Sequence, residues 1–374
     1  MERHLGLDWL RIGAFGILIL YHIGMVFVPW GYHVTLQVTD WVVLPMLASN
    51  PWRLALLFVV SGYASRALQL RSKDGAGFAR NRSARLLIPL LFGIIVVVPA
   101  QPWAELVSKY GYAGSFGYFY THDYFVFGSI AGLVLPTWQH LWFVAYLWLY
   151  TIALVILLAA SPAVARSALQ HAFDRVFAGV GQFALPAAWL IVVSVILFPG
   201  GRETHALVDD GVAHAVYLPS FLFGFAMAAS PRVLAIFARF WQPALALAIA
   251  AFALVIWVEL RWPGDAMPPR PWGSIFSAGR AVQGWMTVAA LIGIAERFWN
   301  RDHPWRAMLA EAVFPFYIIH QTVIVLVAFW LIGAGLPMAT NFVLLILATV
   351  AGCWAFYLVG RRITWLRPLI GLRV

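Results

Sequence analysis

The first apolar stretch of the chain, residues 5–29, constrains the fold most, because it is long enough to cross a membrane and yet contains ionisable side chains. It reads LGLDWLRIGAFGILILYHIGMVFVP, with Arg11 near its start and His22 in its middle. About 20 apolar residues cross a bilayer core as a helix, and an ionisable group inside that core costs roughly 3 kcal/mol or more. Arg11 and His22 are eleven residues apart, so they share one helix face, with His22 about 16 Å deeper. We predict that a site extends along this face from the membrane surface inward.

The rest of the chain is equally apolar. Hydrophobic residues make up 63% of it and its mean hydropathy is +0.83, values that exclude an ordinary soluble domain. Apolar runs of spanning length predict about ten transmembrane helices. Their approximate ranges are 7–29, 49–68, 85–106, 138–160, 183–199, 212–229, 242–261, 276–297, 312–333 and 339–360. We predict an all-α bundle that forms one integral membrane domain, residues 1–374, with the lipid bilayer as its surroundings.

The basic residues orient this bundle. If the N-terminus faces the cytoplasm, 19 of the 25 Lys and Arg residues fall on the inner side, Arg3 and Lys73 among them, and six fall outside. Cytoplasmic loops of membrane proteins carry such an excess of positive charge. We therefore predict that both termini are cytoplasmic, and that the net charge of +10 reflects orientation and not a nucleic-acid partner.

His22 is the predicted catalytic residue. Imidazole changes its charge near neutral pH, so it can take a proton from a hydroxyl group as a general base, or act as a nucleophile. The alternative is that His22 only forms hydrogen bonds between helices. A second intramembrane histidine, His320, has Tyr317 three residues before it on the same helix face. Two such histidines in one bundle favour a site that both of them line.

Four arginines form the predicted binding site for an anionic cofactor: Arg11, Arg80, Arg82 and Arg85. The guanidinium group is permanently charged and presents a planar fork of donors that suits phosphate oxygens. Arg80 alone fits a solvated inner loop equally well. Arg82 and Arg85 are three residues apart and lead into an apolar helix, which favours the rim of a pocket. A phosphate-rich cofactor that arrives from the cytoplasm would meet these groups first.

Other motifs have structural interpretations beside functional ones. The segment 107–137 mixes aromatic residues with Gly and Ser, which suits either a sugar-like partner or an aromatic belt at headgroup depth. Ser61 and Gly62 in FVVSGYASR favour close helix packing, and His140 in WQHLWFVAYLWLY favours an interfacial anchor. No His or Cys pair has ligand spacing on a shared helix, and Cys353 is the single cysteine, so we predict no metal site and no disulfide.

These motifs, taken in order, resemble the acyltransferase-3 family of ten-helix membrane acyltransferases over most of the chain. LDWLR followed by His22 is similar to the first helix of the family, and FVVSGYASR is similar to its SGY segment. Residues 78–89, FARNRSARLLIP, resemble its F-x-R-x-R-x-x-R segment, with Arg80 and Arg82 at the paired arginines. HLWFV and FYIIH resemble its LWF and YLxH signatures. The stretch HIGMVFVPWGYHV resembles the branch that succinylates periplasmic glucans.

The resemblance implies an O-acyltransferase of the bacterial inner membrane. Such an enzyme moves an acyl group from cytoplasmic acyl-CoA, of the acetyl-CoA or succinyl-CoA class, to a hydroxyl of a glycan or another envelope acceptor at the periplasmic side. Arg11, Arg80, Arg82 and Arg85 would hold the CoA phosphates, and His22 would activate the acceptor hydroxyl or carry the acyl group. The other motifs supply the predicted substrate contacts, which are Tyr63, His140, Trp142, Tyr317 and His320.

One departure from the family pattern lies in the fourth helix. Many members carry an acidic residue shortly after LWF, whereas this chain continues VAYLWLY with no acid through Tyr150. If that acid orients a histidine or the substrate, its role falls to another residue here. Asp8 and Tyr146 are the candidates.

Two functions of other classes use the same features. A transporter of an anionic or lipid-linked substrate would also have a basic mouth and buried histidines. Transporters often consist of two repeated halves, and the sequence shows no internal repeat. A scaffold or sensor subunit would use the histidines only to pack helices. Thioester cleavage that depends on an acceptor distinguishes the enzyme from both.

Overall fold

The structure, a computed structural model, describes residues 4–72, 74–264, 266 and 268–373. Arg3 and Lys73, which the charge argument counts on the inner side, lie outside the described residues. The fold is almost entirely helical. In chain order the α-helices are α1 (Leu5–Gly24), α2 (Val43–Ser49), α3 (Arg53–Arg71), α4 (Gly75–Phe92), α5 (Ala100–Tyr110), α6 (Phe116–Tyr118), α7 (Trp142–Ala160), α8 (Ala163–Phe177), α9 (Gly181–Ile191), α10 (Gly211–Met227), α11 (Pro231–Arg261), α12 (Arg270–Phe298), α13 (Pro304–Leu331) and α14 (Met338–Arg362).

Short elements of other types extend or connect these helices. π-Helical turns cover Gly93–Val97, Phe119–Asp123 and Val192–Leu197, and 3-10 turns cover Met25–Phe27, Asp40–Val42, Gln139–Leu141 and Pro368–Ile370. The described residues also form a β-hairpin, in which β1 (Gly128–Ile130) pairs antiparallel with β2 (Leu133–Leu135) and Ser129 lies opposite Val134. The all-α prediction is confirmed, apart from this small hairpin.

Eight helical segments of the described chain are long and apolar enough to cross a membrane. They are Leu5–Phe27, Asp40–Arg71, Gly75–Tyr110, Gln139–Ala160, Pro231–Arg261, Arg270–Phe298, Pro304–Leu331 and Met338–Arg362. Each overlaps a predicted run, so the prediction of a multi-pass helical membrane protein is confirmed. The other two predicted runs correspond to a bent helix pair and to the 17-residue helix α10. The total of ten spans and the cytoplasmic termini therefore stay predictions.

The run predicted at 183–199 is the second half of that bent pair. The chain turns by 94° between α8 and the segment Gly181–Leu197. At the turn, a Cβ on Gly181 would overlap the backbone carbonyl oxygen of Val176, so only glycine fits this close approach. Helix α8 was not predicted, because polar side chains interrupt its apolar pattern. These are Arg166, Ser167, Gln170, His171, Asp174 and Arg175.

The described chain divides into two compact units, each assembled from three stretches. The first unit contains the residues up to Ala14, then Leu44–Arg82 and Tyr146–Ala310. The second unit contains Phe15–Val43, Ser83–Ala145 and the residues from Glu311 onward. The single domain over 1–374 stays a prediction.

In the first unit, glycines let two helices approach closely. α3 packs against α10 where Gly62 faces the carbonyl oxygen of Phe221 and Gly224 faces the carbonyl oxygen of Val59. A Cβ on either glycine would overlap that oxygen. The packing interpretation of Gly62 is therefore confirmed, in line with the use of small residues where membrane helices meet.

In the second unit, part of the aromatic segment 107–137 forms a core of its own. Phe119 and Tyr124 are fully buried and cluster with Leu106 and Leu135. These two rings contribute internal packing, which neither the sugar-binding nor the belt interpretation anticipated. Other rings of the segment are exposed, among them Tyr110, Tyr118 and Phe125. Both interpretations remain predictions for these outer rings.

Candidate active site

Three histidines of the second unit lie together. His22 is on α1, His140 is in the 3-10 turn before α7, and His320 is on α13. His22 Nδ1 and His320 Nε2 are 2.9 Å apart and share a hydrogen bond. The centroids of the His140 and His320 rings are 5.1 Å apart. The two intramembrane histidines of the sequence analysis are thus in direct contact.

The hydrogen bonds of His320 fix where the protons lie in this pair. His320 Nδ1 is 2.8 Å from the carbonyl oxygen of Tyr317 and 3.1 Å from that of Phe316. Carbonyl oxygens only accept hydrogen bonds, so Nδ1 of His320 carries the proton and Nε2 of the neutral ring is an acceptor. His22 Nδ1 must then be the donor in the shared hydrogen bond. The lone pair of a neutral His22 therefore lies on Nε2.

Burial distinguishes the two rings. His320 is fully buried, whereas His22 is only half-buried. Tyr317, which supplies the carbonyl that holds His320, is 2% exposed. The arrangement thus pairs a half-buried imidazole with a fully buried one, and their hydrogen bond favours one tautomer and one orientation of His22.

His140 and Tyr317 bind each other's backbone. His140 Nε2 donates to the carbonyl oxygens of Tyr317 and Ile318 at 3.0 and 3.1 Å, and the Tyr317 hydroxyl donates to the carbonyl oxygen of His140. The interfacial-anchor interpretation of His140 is wrong, because the side chain is buried and tied to α13. Its Nδ1 is also buried and has no hydrogen-bond partner among the described residues. Trp142, two residues on, is 7% exposed.

This unit contains a second polar cluster that was not predicted from the sequence. His33 Nδ1 is 2.5 Å from Glu105 Oε2, and Lys109 Nζ is 2.9 Å from Glu105 Oε1. Gln321, the neighbour of His320 in the chain, has its Nε2 3.1 Å from His33 Nε2. A signal was present, since Glu105 is the single acidic residue of the predicted run 85–106. An acid inside an apolar run needs compensation as much as a histidine does.

Buried amides continue this cluster. Gln321 Nε2 donates to Gln101 Oε1 at 3.0 Å, and Gln101 Nε2 donates to the Thr322 hydroxyl at 2.7 Å. The Thr322 hydroxyl donates in turn to the carbonyl oxygen of Val97 at 2.9 Å. All three polar side chains are buried. Such a satisfied network holds α13 in one rotational setting against the turn Gly93–Val97.

Arg11 belongs to an ion-pair cluster of the first unit. Its Nη2 donates to the carbonyl oxygen of Ala310 at 3.3 Å and lies 3.9 Å from Asp8 Oδ1. Arg306, which the sequence analysis did not single out, binds Asp8 more closely, at 2.8 Å, and Asp302 at 2.7 Å. Asp8 is therefore engaged by Arg306, so it is a structural counter-ion.

The other predicted phosphate ligands lie on α4. Arg80 and Arg85 are exposed, and Arg82 is half-buried. Arg80 and Arg82 belong to the first unit and Arg85 belongs to the second. The role of these arginines in phosphate binding stays a prediction.

Tyr63, a predicted substrate contact, lies in the first unit on α3. The side chain is buried, and its hydroxyl has no hydrogen-bond partner among the described residues. Its ring meets the edge of the His4 ring at 5.9 Å, and His4 Nδ1 is 3.0 Å from Glu296 Oε2. Tyr63 therefore borders a small polar cluster, while its contact with substrate stays a prediction.

The fourth predicted helix, α7, has no acidic residue of its own after LWF, but a carboxylate from another part of the chain contacts it. Tyr146 on α7 is fully buried and donates to Asp210 Oδ2 at 2.9 Å. Asp210 also accepts from the backbone N–H groups of His205 and Ala213 at 2.8 and 3.1 Å, and so caps α10. Of the two candidates named from the sequence, Tyr146 is the one that brings a carboxylate to α7.

The described residues include no group of three or more His, Cys, Asp and Glu side chains that could hold a metal ion. The comparison with curated proteins found no match, and neither did the comparison with solved structures. The family model of the acyltransferase-3 family, described as an acyltransferase domain, matches residues 4–358. This match covers nearly the whole chain, together with His22, His140, His320 and the four arginines of the predicted cofactor site. The protein therefore belongs to the acyltransferase-3 family and is a membrane acyltransferase.

Proposed function

We propose that the protein transfers an acyl group from cytoplasmic acyl-CoA to a hydroxyl group of a glycan or another envelope acceptor at the periplasmic side of the bacterial inner membrane. Acetyl-CoA and succinyl-CoA are the donors that the family resemblance favours. The observation that supports this proposal is the hydrogen bond from His22 Nδ1 to His320 Nε2 at 2.9 Å. In a neutral His22 this hydrogen bond places the lone pair on Nε2, and His22 is the less buried of the two rings.

The transfer needs one proton acceptor and one proton donor, and His22 supplies both. Its Nε2 takes the proton of the acceptor hydroxyl as the oxygen attacks the thioester carbonyl. The new ester C–O bond forms, the C–S bond breaks, and the CoA thiolate leaves with the proton that His22 had taken. The Nδ1–H of His22 donates to His320 throughout, and this hydrogen bond stabilises the positively charged imidazolium that His22 becomes between the two proton transfers.

Arg11, Arg80, Arg82 and Arg85 are the proposed ligands of the CoA phosphates. Arg11 and His22 lie on one continuous helix, α1, and eleven residues rise about 16 Å along its axis. An extended CoA arm joins phosphates and thioester over a distance of this order. Bidentate guanidinium–phosphate contacts would fix the donor at its charged end.

A covalent route through acyl-imidazole uses the same atom. In that route His22 Nε2 forms a C–N bond to the thioester carbonyl carbon, the C–S bond breaks and CoA leaves as the thiolate. The acceptor oxygen then attacks the same carbon, the C–N bond breaks, and the hydroxyl proton passes to Nε2 and from there to the thiolate. Incubation with radiolabelled acetyl-CoA or succinyl-CoA in the absence of acceptor distinguishes the two routes. Label that stays on the protein and is released by hydroxylamine indicates the carrier, and no bound label indicates the base.

The test of the function is release of CoA thiol by the purified protein in proteoliposomes. The chain has a single cysteine, Cys353, which is buried, so a thiol reagent reports the released CoA. We expect thiol release that requires an acceptor glycan, and its loss in His22→Ala. His171→Gln serves as the control, because His171 is an exposed histidine on α8 whose Nδ1 donates to the carbonyl oxygen of Ser167 on the same helix.

Two results would contradict the proposal. One is normal acyl transfer by a correctly inserted His22→Ala protein. The other is movement of acyl-CoA or acceptor across the vesicle membrane with no thiol release, which would identify a transporter. Mass spectrometry of envelope glycans from cells with and without the gene then names the acyl group and the acceptor.

A further inference from the structure

A large cavity in the first unit is lined by none of the residues assigned to the acyltransferase reaction. It has a volume of about 1020 Å³ and lies between α3, the end of α7, α8, α9 and α10. This volume is at the upper end of the range for small-molecule pockets. Most of the wall is apolar, with Leu154, Phe173, Leu190, Leu222 and Phe223 as examples.

The polar side chains of the cavity lie mostly on α8 and in the C-terminal part of α3, with Ser161 after α7 and Ser220 on α10. Gln69 lies in the last turn of α3, Ser161 lies between α7 and α8, and Arg166 lies in the first turn of α8. Arg66 lies about one turn further from the end of α3. The cavity therefore combines a polar end, beside α8 and the end of α3, with an apolar wall on α9 and α10. A molecule that matches it must be amphipathic.

Arg66 carries a charge that the described protein does not neutralise. Its guanidinium group lies over the ring of Phe225 at 4.8 Å, and its Nε is buried with no hydrogen-bond partner among the described residues. The acid that lines the same cavity, Asp174, accepts a hydrogen bond from Gln170 at 3.2 Å and forms no ion pair with Arg66 within the described chain. A half-buried guanidinium group favours an anionic partner with oxygen acceptors.

The cavity also reaches the apolar surface of the protein. Several of its lining side chains are large, hydrophobic and exposed: Leu70, Leu157, Leu169, Leu185 and Trp189. In a membrane protein such side chains contact lipid, so the opening is accessible from the bilayer.

We propose that this cavity binds an anionic phospholipid of the surrounding bilayer. The phosphate group accepts hydrogen bonds from Arg66, and Arg166 adds a second positive charge at the polar end. One acyl chain lies along the apolar wall of α9 and α10. Basic pockets between membrane helices recognise anionic headgroups in this way. The proposal does not depend on the acyl acceptor, because none of the assigned reaction residues lines the cavity.

Native mass spectrometry of the delipidated full-length protein tests the proposal. The protein is titrated with dioleoyl phosphatidylglycerol and, separately, with dioleoyl phosphatidylcholine, which has the same chains and no net charge. We expect the wild type to prefer the anionic lipid roughly 25-fold, about fivefold for each of the two arginines near the headgroup. Arg66→Gln should reduce this preference about fivefold, and Arg66→Lys should keep most of it. Arg239→Gln is the matched control, since Arg239 also lies over a phenylalanine ring, at 5.3 Å from Phe240, but outside the cavity.

A second variant tests the apolar wall. Leu222→Trp fills part of the cavity and should weaken binding of both lipids to a similar degree, with the preference for the anionic lipid unchanged. Equal binding of the two lipids by the wild type, or an unchanged preference in Arg66→Gln, would overturn the proposal. So would equally tight binding of glycerol 3-phosphate, which would show that the site recognises a free phosphate and not a lipid.

Discussion

The imidazoles of His22 and His320 share one hydrogen bond of 2.9 Å, from Nδ1 of the first ring to Nε2 of the second. The backbone of α13 accepts the proton on the far nitrogen of His320. His320 can therefore receive a hydrogen bond from His22 only when His22 carries its own proton on Nδ1. Under the proposed function, this relationship makes His320 a positioning residue for His22.

His320 should affect turnover more than binding of acyl-CoA. We expect His320→Leu to lower kcat by about 10–100-fold with little change in KM, because the Nδ1–H of His22 loses its acceptor. His320→Gln should be milder, since the amide oxygen can accept that proton. His22→Gln should lower kcat by about 100-fold or more. Steady-state kinetics of CoA release checks all three, and equal activity of the Leu variant and the wild type would refute the positioning role.

The Tyr146–Asp210 pair should contribute to stability. Asp210 is 1% exposed and accepts hydrogen bonds from the Tyr146 hydroxyl and from two backbone N–H groups. We expect Asp210→Asn to lower the free energy of unfolding by about 2–3 kcal/mol, because the amide cannot accept all of these bonds. Tyr146→Phe should cost about 1 kcal/mol. Denaturant titration in detergent measures both values, and a smaller effect of Asp210→Asn than of Tyr146→Phe would contradict this assignment.

The crossing of α3 and α10 should not tolerate a side chain. In Gly62→Ala and Gly224→Ala the new Cβ would overlap a backbone carbonyl oxygen of the facing helix, so the helices must separate and lose their contact. We expect little folded protein in fluorescence-detected size-exclusion profiles. Gly16→Ala is the matched control, because a Cβ at Gly16 on α1 meets nothing within 4 Å. Normal profiles for both crossing variants would contradict the close packing.

Glu105 should be needed for folding as a buried counter-ion. It lies between His33 and Lys109, and its side chain is 8% exposed. We expect Glu105→Gln to lower the free energy of unfolding by about 3 kcal/mol. This value is at the low end of the range for a buried ion pair that loses one partner, because the Lys109 side chain is 27% exposed and water can still solvate it. The double variant with Lys109→Gln should recover part of this loss. A double-mutant cycle in detergent measures the coupling, and additive effects would show that the pair does not interact.

Tyr112 should make stability fall at high pH. Burial, together with the hydrogen bond to Asp123, raises the pKa of Tyr112 from 10.0 to about 12. The unfolded chain then loses this proton at lower pH than the folded chain, so the stabilisation is complete below pH 10.0 and is lost as the pH rises to about 12. The denaturant midpoint of unfolding should therefore fall between pH 10.0 and about pH 12 in the wild type. In Tyr112→Phe, which has no hydroxyl to titrate, the midpoint should fall by less over the same range. The same pH dependence in both proteins would contradict the prediction.

Local patterns predicted the helices well where the sequence is continuously apolar. The runs at 7–29, 138–160 and 339–360 agree with Leu5–Phe27, Gln139–Ala160 and Met338–Arg362. Helix α8 was missed, because its mixture of polar and apolar residues has the composition of a loop. His140 was misassigned for a related reason, since its place near a helix end resembles an interface and only α13 explains its burial.

The sequence by itself determined that this chain is a helical membrane protein with a histidine and arginines inside or beside apolar helices, because length, hydropathy and charge are properties of consecutive residues. The tertiary structure alone decided which polar groups meet. His22 and His320 are 298 residues apart in the chain, His33 and Glu105 are 72 apart, and Tyr146 and Asp210 are 64 apart. Such contacts depend on the rotation of each helix about its axis, which is set by the packing of all its neighbours and not by its own residues.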